Sequence, residues 1–241
     1  MLPRLLSTAF PVPSSPAIVS RSFSTLHEHT RYLYVHAVKN LTKPDLNALY
    51  EIAEGQQGLF TTRQATQLGF KLGSQHHHVK MGNWIRQHRG IYRLARFPQG
   101  DQAQLVLWHL WSQNRAGEPQ GVYSHQTALS IYELSDVMPA KLHLTVPLTF
   151  RRNAPIPKVL MLHRAALKAS DIETLRGFKV TRPFPTILTL AREATIAQDL
   201  LEQALAEGRR RGLIRLSELT QAKTDASLPA WFTALLKQLS A

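Results

Sequence analysis

The stretch Leu59–Leu94, LFTTRQATQLGFKLGSQHHHVKMGNWIRQHRGIYRL, decides how the rest of the chain reads. Thr61 or Thr62 suits a helix start, because a threonine hydroxyl accepts a bond from a free amide of the first turn. Ala65 stands four residues before Gly69. A small side chain there lets the next helix cross closely, and glycine supplies the φ > 0 backbone that a tight inter-helix turn often needs. Gly73 and Ser74 open a second short helix running to about Met81, and Gly82 stops it. WIRQH-RG-IYRL then predicts a hairpin turning at Arg89-Gly90. The stretch reads as the second and third helices of a helix-turn-helix followed by a two-stranded wing.

Charge points the same way. Between Gly55 and Gly100 there is no Asp or Glu, while Arg63, Lys71, Lys80, Arg86, Arg89, Arg93 and Arg96 fall there. An acid-free basic surface around such a module suits the phosphates of double-stranded DNA. Within the second helix Val79 is expected to face inward, with Gln75 and His76 on its side. Ser74, His77 and Met81 then point outward, with His78 and Lys80 at the edges. The outward positions are placed for the major groove, where serine and histidine bond base edges and lysine reaches phosphate. In the wing, alternation puts Trp84, Arg86 and His88 on one face and Ile85 on the other. The expected DNA contacts are Arg63, Ser74, His77, His78, Lys80, Arg86, Arg89 and Arg93. The run His76-His77-His78 is not read as a metal site, since consecutive helical side chains diverge.

Upstream, Leu46, Leu49, Tyr50 and Ile52-Ala53 recur at helical spacing, which predicts the module's first helix over Lys43 to Glu54. Thr42 or Asp45 lies near its start, and Gly55 and Gly58 end it. Residues 1–42 carry Arg4, Arg21, Arg31 and Lys39 against the single acid Glu28, with many Ser and Pro. That composition fits a flexible basic arm, an organellar transit peptide or an over-extended start. Its HEHT (residues 27–30) lacks the second histidine of a zinc-protease HExxH.

The whole chain has 241 residues, a net charge of +13 and a hydrophobic fraction of 44%. It is long enough for two small domains, or for one domain with an appendage, and for a proper core. The charge favours a polyanionic partner; RNA and an anionic membrane would also satisfy it. The absence of cysteine excludes disulfides, thiolate catalysis and Cys-based zinc sites. No apolar run approaches a membrane span. The expected division is a basic arm at 1–42, a winged helix-turn-helix at 43–100 and a C-terminal α/β domain at 101–241.

Downstream, Phe97-Pro98-Gln99-Gly100 reads as a boundary turn. The helix from Gln102 to about Trp111 is apolar almost all round, so it is expected to be buried on more than one side. From Gln120, strands are expected at GVYS, KLHLTV (Leu142, Leu144 and Val146 inward), 158–162 and 178–181, with a helix at HQTALSIYEL. Four helices follow, at 183–194, 197–208, 216–222 and 229–239. The expected fold class is α+β: a winged helix-turn-helix, then a small mixed α/β domain with a helical C-terminus.

Several pieces in this order resemble AbiEi-type antitoxins of type IV toxin–antitoxin (abortive infection) systems. They are LGF…MGNWIRQHRGIYRLA (68–95), GVYSHQTALSIYELSD (121–136), LHLTVP (142–147), Arg151-Arg152 followed by His163-Arg164, and FKVTRPFPTILTLA (178–191), together covering about 43–222. The resemblance implies an N-terminal winged helix-turn-helix that binds inverted repeats in its own promoter. It also implies a C-terminal domain that antagonises a co-encoded nucleotidyltransferase-like toxin, in a cytoplasmic, nucleoid-associated phage-defence setting. Where the family pattern VTxPxRTLxDLA has Arg and Asp, this chain has Pro185 and Thr189, so that helical pair is missing.

Enzyme signatures fail on particular absences. After Gly73-Ser74 no acid follows until Asp101, which removes the metal-binding pair of a nucleotidyltransferase toxin. There is no GxxxxGK loop. Lys179 has Gly177 where a nuclease needs an acid. Ser124-His125 are adjacent and are not expected to pair as nucleophile and base. His125, His143 and His163 each read as a hydrogen-bonded core or sheet-edge histidine rather than a ligand or base. Arg151, Arg152 and Arg164 suit either a basic surface or a solvated loop. Arg209-Arg210-Arg211 fall at a helix C-terminus, where cations oppose the dipole. No catalytic residue, cofactor, metal or membrane partner is expected. A stand-alone winged-helix regulator without a toxin is the alternative, and a toxin-binding interaction module the other.

Overall fold

The computed structural model describes residues 43–98 and 100–239. The expectations for the arm at 1–42, HEHT included, and for Gln99 in the boundary turn lie outside the described residues. Asp45 starts the first helix, α1 (Leu46–Glu54), its carboxylate accepting from the Ala48 amide at 2.9 Å. Leu49 and Ala53, one turn apart, are its buried residues. Strand β1 (Leu59–Thr61), which the sequence reading did not anticipate, runs directly into α2 (Thr62–Gln67). Thr61 ends the strand and caps the helix at once. Its hydroxyl accepts from the Gln64 amide, and the Gln64 side-chain oxygen accepts from the Thr61 amide at 2.8 Å. This reciprocal box satisfies two donors that a helix start leaves open.

Gly69 and Gly73, both at positive φ, carry the chain into α3 (Gln75–Lys80). Strands β2 (Trp84–His88) and β3 (Ile91–Leu94) form the expected hairpin, and β3 lies between β1 and β2. A bulge moves the register from Arg86↔Tyr92 to His88↔Ile91. That extra residue breaks the alternation expected along β2: His88 meets the edge of Trp108 instead of continuing the face of Trp84.

The two faces of this small sheet feed different cores. Phe60, Trp84 and Leu94 pack with Leu49, Ala53, Ala65 and Phe70. Leu59 and Ile91 leave on the other side and join Val106, Leu110 and Trp111 of α4 (Ala103–Trp111). The all-round apolarity of α4 has its reason here, because the same helix also packs on a five-stranded sheet. Tyr123 donates its hydroxyl to the Leu105 carbonyl at 2.7 Å.

That sheet has the order β6-β5-β4-β8-β7, with β4 Val122–Tyr123, β5 Leu142–Val146, β6 Leu160–Arg164, β7 Ile172–Leu175 and β8 Phe178–Thr181. Pairs β5/β6 and β4/β8 are parallel, and β4/β5 and β7/β8 antiparallel. β6 starts two residues later than expected, and β7 was not anticipated. Helix α5 (His125–Ile131) follows β4. The chain then ends in α6 (Pro183–Glu193), α7 (Gln198–Arg210), α8 (Leu216–Ala222) and α9 (Ala230–Gln238), close to the helical C-terminus expected. Gly177, at φ 96°, turns β7 into β8; a Cβ there would stand 2.5 Å from the Gly55 carbonyl oxygen. Only glycine lets that turn seat on the end of α1. The described residues thus form one compact α+β unit with two apolar cores. None of their helices is long and apolar enough to cross a membrane.

Candidate nucleic-acid interface

Helix α3 is six residues long, and what lies beneath it decides which side chains it presents. Trp84 is buried and sits edge-on to Phe60. The His78 ring stacks on Trp84 with centroids 4.3 Å apart, and it meets the edge of Phe70. Gln75 is buried too, its side-chain oxygen accepting from the Gly73 amide at 2.8 Å. The inward stripe is therefore Gln75, His78 and Val79, spaced i, i+3, i+4. His76, His77, Lys80 and Met81 face solvent.

Two expected contacts are corrected by this packing. His78 lies against the tryptophan rather than at an outward edge, and desolvation, with the neighbouring His77, lowers its pKa. Ser74 Oγ is buried without a hydrogen-bond partner and is not presented outward. His76, expected beside Val79, is exposed. His77 and Lys80 stand where the sequence reading put them.

Of the hairpin cations, Arg86 and Arg89 are exposed. Arg93 is not free for phosphate: it is half-buried, its Nη1 donates to the Phe97 carbonyl at 2.6 Å, and its Nε is buried without a partner. Arg63 is exposed but tied down, donating through Nη1 to the Arg115 carbonyl at 2.7 Å. It thereby fastens α2 to the loop after α4. Lys71 and Arg96 add exposed charge. The ion pairs found among the described residues are His125–Glu193, Arg192–Asp225, Arg210–Glu207 and Arg211–Glu207. All lie beyond this region, so no described carboxylate pairs with its cations. Lys71, Lys80, Arg86, Arg89 and Arg96 form the resulting uncompensated set.

Several basic residues farther along are spent on their own fold. Arg152 stacks over the Trp111 ring at 4.5 Å, and Arg164 donates to the Phe150 carbonyl at 2.9 Å. Arg209 reaches the Ile214 carbonyl, Arg210 pairs with Glu207, and Arg211 reaches the Tyr132 carbonyl. In α6, Thr189 Oγ1 donates to the Pro185 carbonyl at 2.9 Å, a hydroxyl bond inside the helix where the resembled family would place an ion pair.

The structure also joins side chains that the sequence reading took singly. His125, His143 and His163 come together from the start of α5, from β5 and from β6. Ser124 and His125, not expected to pair, do meet, with Oγ and Nδ1 2.8 Å apart. The reason is the left-handed backbone of His125 (φ 53°), which turns its ring back over its predecessor. Ser124 is only 4% exposed, and its hydroxyl also bonds that of Thr145 at 2.7 Å, so it is closed to a substrate.

No protein-family model and no curated protein matches the chain. Among solved structures it is similar to the crystal structure of the RV2827C protein from Mycobacterium tuberculosis, at 16% identity over 79% of each chain, with a TM-score of 0.44.

Proposed function

We propose that residues 43–100 form a winged helix-turn-helix that binds double-stranded DNA, with α3 in the major groove and the β2–β3 hairpin as its wing. On this reading the chain is a non-catalytic, cytoplasmic antitoxin of a type IV toxin–antitoxin system. It represses its own operon through inverted repeats and antagonises a nucleotidyltransferase-like toxin. The observation that carries the DNA reading is the exposed set of His77, Lys80, Arg86 and Arg89, with no carboxylate among the described residues paired to it. Neutralising phosphates with such cations releases counterions and drives association. The toxin partner rests on the order of the sequence pieces between 68 and 191.

The experiment is a gel shift of the full chain on its upstream DNA, comparing wild type with Lys80→Glu and Arg86→Glu. Both variants are expected to lose binding while their circular dichroism stays unchanged, since both side chains are exposed. Retained binding by both excludes the surface. A nucleotidyltransferase-like reading frame beside this one supports the antitoxin role; its absence favours a stand-alone regulator.

A further inference from the structure

The parallel register of β5 and β6 sets His143 opposite Met161 and Thr145 opposite His163. Alternate strand residues share a face, so His143, Thr145 and His163 project on the same side of the sheet. The start of α5 brings His125 to that side through the Ser124–Thr145 hydroxyl bond, and Glu193, the last residue of α6, closes the group. Three histidines from segments far apart in sequence thus come together, and the Glu193 carboxylate reaches one of them, His125.

We propose that His125, His143 and His163, with the Glu193 carboxylate, bind one divalent transition-metal ion of the zinc class. Available ligand nitrogens of the three imidazoles all lie within 4.8 Å of one another. His143 Nδ1 and His163 Nε2 are 3.0 Å apart, and His125 Nε2 stands 3.2 Å from a Glu193 oxygen. Four ligands at about 2.0–2.1 Å around a tetrahedral zinc ion lie roughly 3.3 Å from each other. Both contacts are close to that edge length. The His125 and His163 rings stack with centroids 3.7 Å apart, so ligation swings one of them about χ2, a broad torsion for imidazole.

The surroundings suit ligands better than a plain polar cluster. A metal-bound imidazole donates its other N–H to an outer partner that fixes its orientation. With Nε2 on the metal side, His125 Nδ1 donates to Ser124 Oγ, which in turn bonds Thr145. His125 holds a left-handed φ of 53°, which a non-glycine residue adopts uncommonly, in keeping its ring in the group. Three imidazoles and one carboxylate suit zinc, cobalt, nickel or copper, whereas calcium and magnesium take oxygen donors. Glu193 is 42% exposed, which gives an ion a way in. The site lies in the five-stranded sheet and stands apart from the DNA reading.

The test is titration of tag-free, chelator-stripped full chain with CoCl2, followed by visible absorption, and with ZnCl2 in competition and by native mass spectrometry. One equivalent of cobalt with nitrogen-ligand d–d bands, displaced by one of zinc, is expected. His163→Ala should abolish it, and Ser124→Ala should weaken it about 10–100-fold, as the loss of an outer partner does. The double variant His76→Ala/His77→Ala, outside the cluster, should take up cobalt as wild type does. Glu193→Gln, at an exposed helix end, tests the site should His163→Ala not fold, and should weaken cobalt uptake and change its bands. Failure of wild type to take up a stoichiometric ion overturns the proposal. So does uptake that survives both His163→Ala and Glu193→Gln, or that is lost from His76→Ala/His77→Ala.

Discussion

Helix α4 serves both cores, and His109 on it makes that junction sensitive to acid. The residue is 5% exposed, and its Nδ1 lies 2.9 Å from the Gly121 carbonyl, a geometry in which the neutral ring donates. Burial lowers its pKa to about 4, against the opposing bond to Gly121 and with a small contribution from Lys179. In the unfolded chain the ring takes up a proton below about 6.5. In the folded chain it resists until about 4. The unfolded state therefore binds more protons between those values, so this stability is complete above about pH 6.5 and falls as the pH drops towards 4. One proton is worth about 1.4 kcal/mol per pH unit, so the interval carries about 3 kcal/mol. His109→Asn removes the titration and keeps a side-chain donor for Gly121. Urea unfolding followed by tryptophan fluorescence from pH 7.5 to 4 provides the assay. Wild type should lose about 3 kcal/mol more than His109→Asn across that range. Parallel profiles for the two proteins would refute the reasoning.

Thr61→Ala should cost about 1 kcal/mol in chemical denaturation, because it removes the acceptor that caps α2. His77→Ala and His78→Ala should separate cleanly. The first, at an exposed position, should leave stability within about 0.5 kcal/mol and weaken DNA binding. The second unstacks a ring from Trp84 and should destabilise by about 1–3 kcal/mol, read as a lower melting temperature.

Much of the fold is legible in the sequence where period and punctuation agree. The hairpin at Arg89-Gly90, strand β8 and the C-terminal helices follow from alternation, from i, i+3, i+4 spacing and from glycine. β1 is hidden because its three residues end on the very threonine that caps α2. β7 is hidden because Ile172–Leu175 has Glu and Thr at its centre and is held by pairing to β8. On α3 the apolar Val79 locates the buried side, but His78 carries no hydrophobic signal. Its place is set by Trp84, a tertiary partner on the next element. Arg63 and Arg93 count as cations in the sequence, and only the carbonyls of Arg115 and Phe97 show where they are held. The histidine trio had a faint signal, since His143 and His163 each interrupt a leucine-rich strand at the same phase. Which strands lie side by side is what brings them together.

The most direct test of the central claim is the salt dependence of binding to the upstream DNA. Lys71, Lys80, Arg86, Arg89 and Arg96 are exposed and, among the described residues, without ion-pair partners. If they neutralise about five phosphates, the logarithm of affinity should fall against the logarithm of salt with a slope of about −4 to −5. Lys80→Ala should flatten that slope by about one. A wild-type slope near zero, or one unchanged in Lys80→Ala, would contradict a DNA-binding role for this surface.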